Sequence, residues 1–484
     1  MRVVPPGSDD ALEEAWQQAG RGTRDERESR TERLERENER LRRRVKELEA
    51  QLEQAQRAGK RQAAPFSKGK AKSSGRRPGR RTGEAYGKKA HRAVPTQVDR
   101  EVEVAVPSTC PDCGGAVREE QIADQYQEEL PPARPVVTRF LVHVGRCDQC
   151  GRRVQGRHPE QTSNALGAAA AQLGPRAVAL ATHLNKTVGA SMAKTAATLR
   201  QMSGITLTPG GVSQALDRVG RRAGPTYDAL VEAVRHSPVV APDETGWKVG
   251  GDRQWLWDFV GDQVTVYSIQ PGRGFKEAAA VLGKDFAGVL ERDGWAPYRQ
   301  FTQATHQTCN AHLIRRCREM LQTAQGRARH IPLTVKLLLQ DGLALRDKRD
   351  AGQLGPTAVQ AELAALEDRL DAVLAELDHT HHDANRRLLK HLAHERQAVF
   401  IYLHREGVQA TNWRAEQGIR PAVVNRKVWG GNRTPAGAHT QEVLVSVLRT
   451  CQQQARDPAL ILADLLRSPT PVVAPLHLMA PGHT

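Results

Sequence analysis

The fold turns on residues 239–269, which read VVAPDETGWKV (239–249), QWLWDFV (254–260) and VTVYSI (264–269) in succession. β-Branched and aromatic residues fill each run, and short polar turns separate them, so the pattern predicts three consecutive strands in an antiparallel meander. A helical stretch follows at 275–282. After it come a strand in GVLERD (288–293), a helix from Trp295 to Phe301, a short strand in HQTC (306–309) and a long helix from Asn310.

The resulting order, β-β-β-α-β-α-β-α, is that of a ribonuclease H-like fold. In it the first strand is central and the fourth lies beside it, which makes Asp243 and Asp293 neighbours facing one pocket. Two such carboxylates repel, and one takes up a proton unless a cation bridges them; all-oxygen ligands favour Mg²⁺ or Mn²⁺. Glu244 adjoins Asp243, but strand alternation points it to the opposite face. A third carboxylate is expected from a later helix, and Glu416 in TNWRAEQGIRPAVVNRK (411–427) is the candidate, with Arg420 one turn on. The 122 residues between Asp293 and Glu416 are mostly helix-forming and include an amphipathic run, Val359, Leu363, Leu366, Leu370, Val373 and Leu377. They read as a helical insertion at about 320–400 within a catalytic domain at 238–450.

The whole chain has 484 residues, with 71 Lys and Arg against 55 Asp and Glu, a net charge of +16 that favours a polyanionic partner such as nucleic acid. Its size rules out a small stapled scaffold. Between Arg57 and Arg92 stand thirteen Lys and Arg and the single acid Glu84, so this stretch carries +12 and leaves +4 for the rest. It is rich in Gly, Ser and Pro and cannot build a core, which makes 58–92 a basic flexible linker. Arg76, Arg77, Arg80 and Arg81 are its candidate contacts to DNA phosphates. With no long apolar run and no secretory signal at the N-terminus, the expectation is a cytoplasmic protein without a membrane partner.

Upstream of the linker, at 26–57, Leu34, Leu41, Leu48 and Ala55 recur every seven residues with Asn38, Val45 and Leu52 between them. This is a coiled-coil seam, in which Asn38 favours a parallel, in-register homodimer. Downstream, at 93–158, Cys110-Pro-Asp-Cys113 and Cys147-Asp-Gln-Cys150 are separated by 33 residues, with strands expected at Val102–Val106 and Val136–Val144. Each pair lets two thiolates from one tight turn reach the same ion, and the Gly after each second Cys permits that turn, so a four-cysteine zinc ribbon holding structural Zn²⁺ is expected. Residues 160–236 are Ala-rich and helical, punctuated at Gly174-Pro175, Gly204, Pro209 and Gly224-Pro225. Within them, SMAKTAATLRQMSGITLTPGGVSQALDRV has the pattern of a DNA-binding helix-turn-helix. Residues 451–484 read as a C-terminal tail. The chain is thus expected to be multidomain, α+β and α/β.

The motifs PDETGWKV with WLWDFV, RDGWAPY, CNAHLIRR and REGVQATNWRAEQGIRPAVVNRKVWGGNRTPAGA resemble transposases of the insertion sequence 66 type, which are DDE recombinases of the ribonuclease H-like superfamily. The resemblance spans nearly the whole chain. It implies that Asp243, Asp293 and Glu416 form a catalytic, metal-binding triad, and that Cys309 and His312 match a CxxH motif; from the residues alone these two read as supporting the site. One departure is Trp413, where such transposases often carry a second Asn after Asn412. Arg420, Arg426 and Lys427 are candidate phosphate contacts.

The activity so implied is metal-dependent hydrolysis at transposon ends and 3′-OH strand transfer into target DNA, in a nucleoid-associated bacterial protein with DNA and co-encoded accessory proteins as partners. The rival readings are a DNA-binding regulator that has lost catalysis and a structure-selective nuclease that cuts without joining.

Overall fold

The computed structural model describes residues 34–45, 47–48, 93–131, 133–166 and 171–476. The chain divides into two units, Met1–Tyr126 and Gln127–Thr484. In the first, residues 34–45 and 47–48 are helical, and Leu34, Leu41, Val45 and Leu48 of the expected seam are all exposed. The rest of the 26–57 seam and the basic linker with Arg76, Arg77, Arg80 and Arg81 lie outside the described residues. Val102–Val106 forms no strand, because its side chains face solvent and have nothing to pair against; an isolated bridge joins Thr109 to Ala116.

The second unit opens with a hairpin of β1 (Val144–Arg146) and β2 (Arg153–Gln155). Pairing begins only at Val144, since Val136 and Val137, expected to be paired, are exposed. Three helices follow, α1 (Pro175–Lys186), α2 (Met192–Ser203) and α3 (Pro209–Arg235). Pro175 and Pro209 open their helices and Gly204 ends α2 in the left-handed region. The Ser191 and Thr208 side chains cap α2 and α3 by accepting the backbone N–H of Lys194 and Gly211. Gly224-Pro225 interrupts nothing. The helix runs through it because Ala223, Thr226, Tyr227 and Leu230 are buried there, and burial outweighs the local propensity.

The meander forms as expected: β3 (Val239–Val249), β4 (Asp252–Val260) and β5 (Thr265–Gln270) are antiparallel neighbours. Helix α4 (Phe275–Leu282) then leads to β6 (Val289–Arg292), and a short 3₁₀ turn (Ala296–Gln300) to β7 (Thr305–Thr308). The strand order is β5-β4-β3-β6-β7, with β3, β6 and β7 parallel. The first strand of the meander is therefore central and the fourth lies beside it.

Helices α5 (Asn310–Thr323), α6 (His330–Asp350), α7 (Pro356–Ala375) and α8 (Asp383–Glu395) follow, with a single turn, α9 (Ile401–His404), behind them. They pack in a second core that also takes in Val239 of β3 and Val289 of β6, in which Val359, Leu363, Leu366, Leu370 and Val373 are buried and Leu377 packs alongside. The chain then returns to the sheet as α10 (Trp413–Trp429) and α11 (Pro435–Gln453). Residues 451–484, read from sequence as a tail, instead contain the end of α11 and an amphipathic helix, α12 (Pro458–Arg467), whose Leu462, Leu465 and Leu466 are buried. Helices α1, α2, α3, α11 and α12 pack into one continuous core with the sheet, so 160–236 is joined to the sheet region by shared apolar contacts.

Helix α11 also closes the edge of the sheet. Glu442, Ser446 and Thr450, one turn apart on one helix face, accept the backbone N–H groups of Ile269, Tyr267 and Thr265 on β5. An edge strand would otherwise offer those donors to another chain. Among the described residues no helix is long and apolar enough to cross a membrane.

Candidate active site

The parallel ladder of β3 and β6 pairs Val239 with Val289 and Val240 with Leu290. Asp243 on β3 and Asp293 just past the end of β6 each lie three residues beyond that last pair, at the same level. This is the carboxyl end of the parallel strands, where the crevice of an open α/β sheet forms. Asp293 is fixed by its own turn: its Oδ1 accepts the N–H of Trp295 at 2.8 Å, and Gly294 between them adopts φ +88°. Asp243 Oδ1 accepts the N–H of Glu244 at 2.9 Å. Glu416 occupies the first turn of α10, where an acid is favoured by the helix dipole, and its N–H bonds Asn412 O at 3.1 Å.

The three acids act on one another through Asp243. Burial pushes its carboxyl up to about 7, and the charges of Glu244, Asp293 and Glu416 add to the shift. Among the described residues, however, no three His, Cys, Asp or Glu side chains gather closely enough to hold a metal ion. The donor chemistry fits a hard divalent cation, since the facing ligands are all carboxylate oxygens and their mutual repulsion is what such a cation relieves. The side-chain positions do not reproduce a coordination sphere.

Two further acids line the strands. Glu244, on the other face of β3, is buried; its Oε1 pairs with Arg273 Nε and its Oε2 accepts the Tyr298 hydroxyl at 2.8 Å. Asp258 on β4 is fully buried opposite Asp243 in the antiparallel register. Burial first, then Asp243 and Glu244, hold its carboxyl well above the usual range. It packs under α10 at Gly418, where an added Cβ would collide with Asp258 Oδ2. Neither role was legible in the sequence: Asp258 comes opposite Asp243 only once the strand register is known, and Arg273 sits in a loop with no motif.

Cys309 and His312 both adjoin Glu416. The Cys309 thiol is buried and pushed up by that burial, while its N–H bonds Arg292 O at 2.8 Å and so ties the start of α5 to β6. His312 Nε2 lies 3.7 Å from Glu416 Oε1. On the far side of Asp293, Arg292 and Glu395 form a buried ion pair at 2.8 Å, and Glu395 also holds Arg299 at 3.0 Å. Through this pair α8 of the helical segment grips the end of β6.

The basic candidates separate. Arg426 Nη1 donates to Thr245 Oγ1 at 3.1 Å and to Gly246 O, which commits it to joining α10 to β3. Arg420 and Lys427 are exposed, and Arg420 lines a shallow groove with Thr187, Val188 and Arg449. The two cysteine pairs fall in different units, and each forms the same turn. Gly114 N bonds Cys110 O at 2.9 Å and Gly151 N bonds Cys147 O at 2.8 Å, with both glycines at positive φ. The Cys110 thiol is lowered by the N–H of Cys113 and then Asp112, that of Cys147 by Cys150 and then Gln149.

The family described as Transposase IS66 family matches residues 171–440, more than half of the chain. The uncharacterized protein y4qI of Sinorhizobium fredii is 22% identical over 285 residues, 53% of this chain and 52% of that protein. The chain thus spans about half the length of this relative.

Proposed function

The chain belongs to the IS66 family of transposases, and on that premise we propose that it is a DNA transposase whose ribonuclease H-like domain uses Asp243, Asp293 and Glu416 as its catalytic acids. The observation that supports this reading is the level placement of Asp243 and Asp293 at the ends of the central parallel strands, with the charges of Asp293 and Glu416 both felt at the Asp243 carboxyl.

Those three acids are the residues to hold Mg²⁺ or Mn²⁺, which when bound would stabilise the attacking and leaving oxygens of phosphoryl transfer. Each acid is held differently. Asp243 is set by strand and burial, Asp293 by its turn onto Trp295, and Glu416 by α10 with His312 beside it. In the first step water forms a bond to phosphorus and the 3′ oxygen leaves as a hydroxyl. In the second, that hydroxyl attacks a target phosphate and displaces the 3′ oxygen of the target strand. No covalent enzyme intermediate is required. The cysteine pairs serve as structural zinc ligands, the exposed apolar row at Leu34, Leu41, Val45 and Leu48 as a dimer seam, and the basic linker with the helical region as contacts to element ends.

The test uses labelled DNA from the flanks of the reading frame with Mg²⁺. Nicking and joining by the wild type, and loss of both in Asp243→Asn, Asp293→Asn and Glu416→Gln with DNA binding kept, are expected. Binding without cleavage would favour the regulator; cleavage without joining, the nuclease.

A further inference from the structure

Outside the three acids, the strongest unassigned feature is a stack of alternating cations and rings that ends beside Asp293. The guanidinium of Arg253 lies over the Trp255 ring at 5.0 Å, that of Arg273 over the same ring at 5.2 Å, and Arg273 also over the Trp295 ring at 4.2 Å. The last layer, Trp295, is 38% exposed, an unusual place for a ring that is held so firmly. Its Nε1–H donates to Arg273 O at 3.2 Å and its backbone N–H to Asp293 Oδ1 at 2.8 Å. With the indole N–H already bonded, the surface that Trp295 offers is apolar ring.

Glu244 explains how the stack is held rigid. Its side chain is 1% exposed and binds Arg273 and Tyr298. Burying a carboxylate is unfavourable unless it is paired, so this acid fixes a cation in place beneath an exposed ring. A stack of this kind accepts one more flat π-system as its next layer, and arginines alongside it suit phosphates.

We infer that Trp295 is a base-stacking site, on which one unpaired nucleobase of a single-stranded DNA segment lies against the ring, with Arg273 beneath it and Asp293 two residues away at the reacting phosphate. The inference rests on the proposed function only for which phosphate the base adjoins. Interior base pairs cannot use the site, because both faces of each base are already stacked; the occupant proposed is therefore a frayed, flipped or tailed nucleotide.

The test is binding by the full chain, without divalent cation, of a short duplex bearing a single-stranded tail whose first unpaired base is 2-aminopurine, against the same duplex with blunt ends. Stacking on Trp295 quenches the 2-aminopurine, and the tailed duplex binds about tenfold more tightly than the blunt one. Trp295→Ala removes both the quench and the preference while leaving blunt-duplex affinity unchanged, and Trp295→Phe restores most of each. Wild-type tail preference and quench in Trp295→Ala would overturn the inference. So would an equal loss of blunt-duplex affinity, which marks a structural role. Asp243→Asn is run alongside: if it still cuts and joins DNA, the proposed function fails while the stacking result stands, and the reverse outcome removes only the stacking site.

Discussion

Asp243 on β3 and Asp258 on β4 stand directly opposite each other in the antiparallel ladder, two carboxyl groups on the face that α10 covers. Like charges at such a pair are unfavourable, and burial, then the charges of Asp243 and Glu244, raise the Asp258 carboxyl well above its ordinary value. A carboxyl raised above its unfolded value contributes stability that is complete below the ordinary value near 3.8 and is lost as pH rises toward the folded value. Asp258→Asn has no such loss. Its stability relative to the wild type is expected to rise between pH 5 and pH 8 by up to about 1.4 kcal/mol per unit. Urea midpoints at several pH values measure this, and a difference that does not change with pH would refute it.

Lys186 titrates in the opposite sense. It is buried between α1 and α11, donates to Gln441 Oε1 at 2.6 Å and lies 5.7 Å from the Trp429 ring centre; burial lowers it from 10.5 to about 7. Because the folded value is the lower one, stability is complete above about 10.5 and falls as pH drops toward 7. Replacing it with Met removes that slope, although Gln441 then loses its partner at a cost of about 1–3 kcal/mol. The expected readout is therefore the pH dependence of the melting temperature, flatter in Lys186→Met between pH 7 and pH 10.

Glu395 is the acceptor for both Arg292 and Arg299. Glu395→Ala leaves Arg292 buried and unpaired next to Asp293, with an expected loss of about 3–5 kcal/mol. Replacing Arg292 and Glu395 together by Met and Leu should recover most of it, since the buried charge is then gone. Denaturant unfolding of the single and double variants checks this; equal losses in both would show that the pair contributes mainly by packing.

Ser446 supplies the oxygen that accepts the Tyr267 N–H at 2.8 Å. Ser446→Ala strands that donor at a buried sheet edge, with an expected cost of about 1–3 kcal/mol. Faster amide exchange confined to Tyr267 and its neighbours on β5 is the predicted signature, and unchanged exchange there would count against edge capping by α11.

Runs of β-branched and aromatic residues with short polar turns between them in residues 239–269 sufficed to predict the meander, and both faces of its strands are covered, with Val240 and Phe259 in one core and Ala241 and Val260 in another. The amphipathic run from Val359 to Val373 likewise declared a buried helix face. Residue type and order also singled out Asp243, Asp293 and Glu416 as candidates, since these are local properties. Contacts between distant segments were decided only in the tertiary structure. The pairing of Val240 with Leu290 sets Asp243 level with Asp293, the register of β3 with β4 brings Asp258 opposite Asp243, and Glu244 reaches Arg273 across a loop. Burial in the core shared by the helices and the sheet also carried α3 through Gly224-Pro225 and made α12 a buried helix where the sequence suggested a tail. Local sequence specifies which side chains a segment offers; long-range packing, through burial and charge, determines which of them meet.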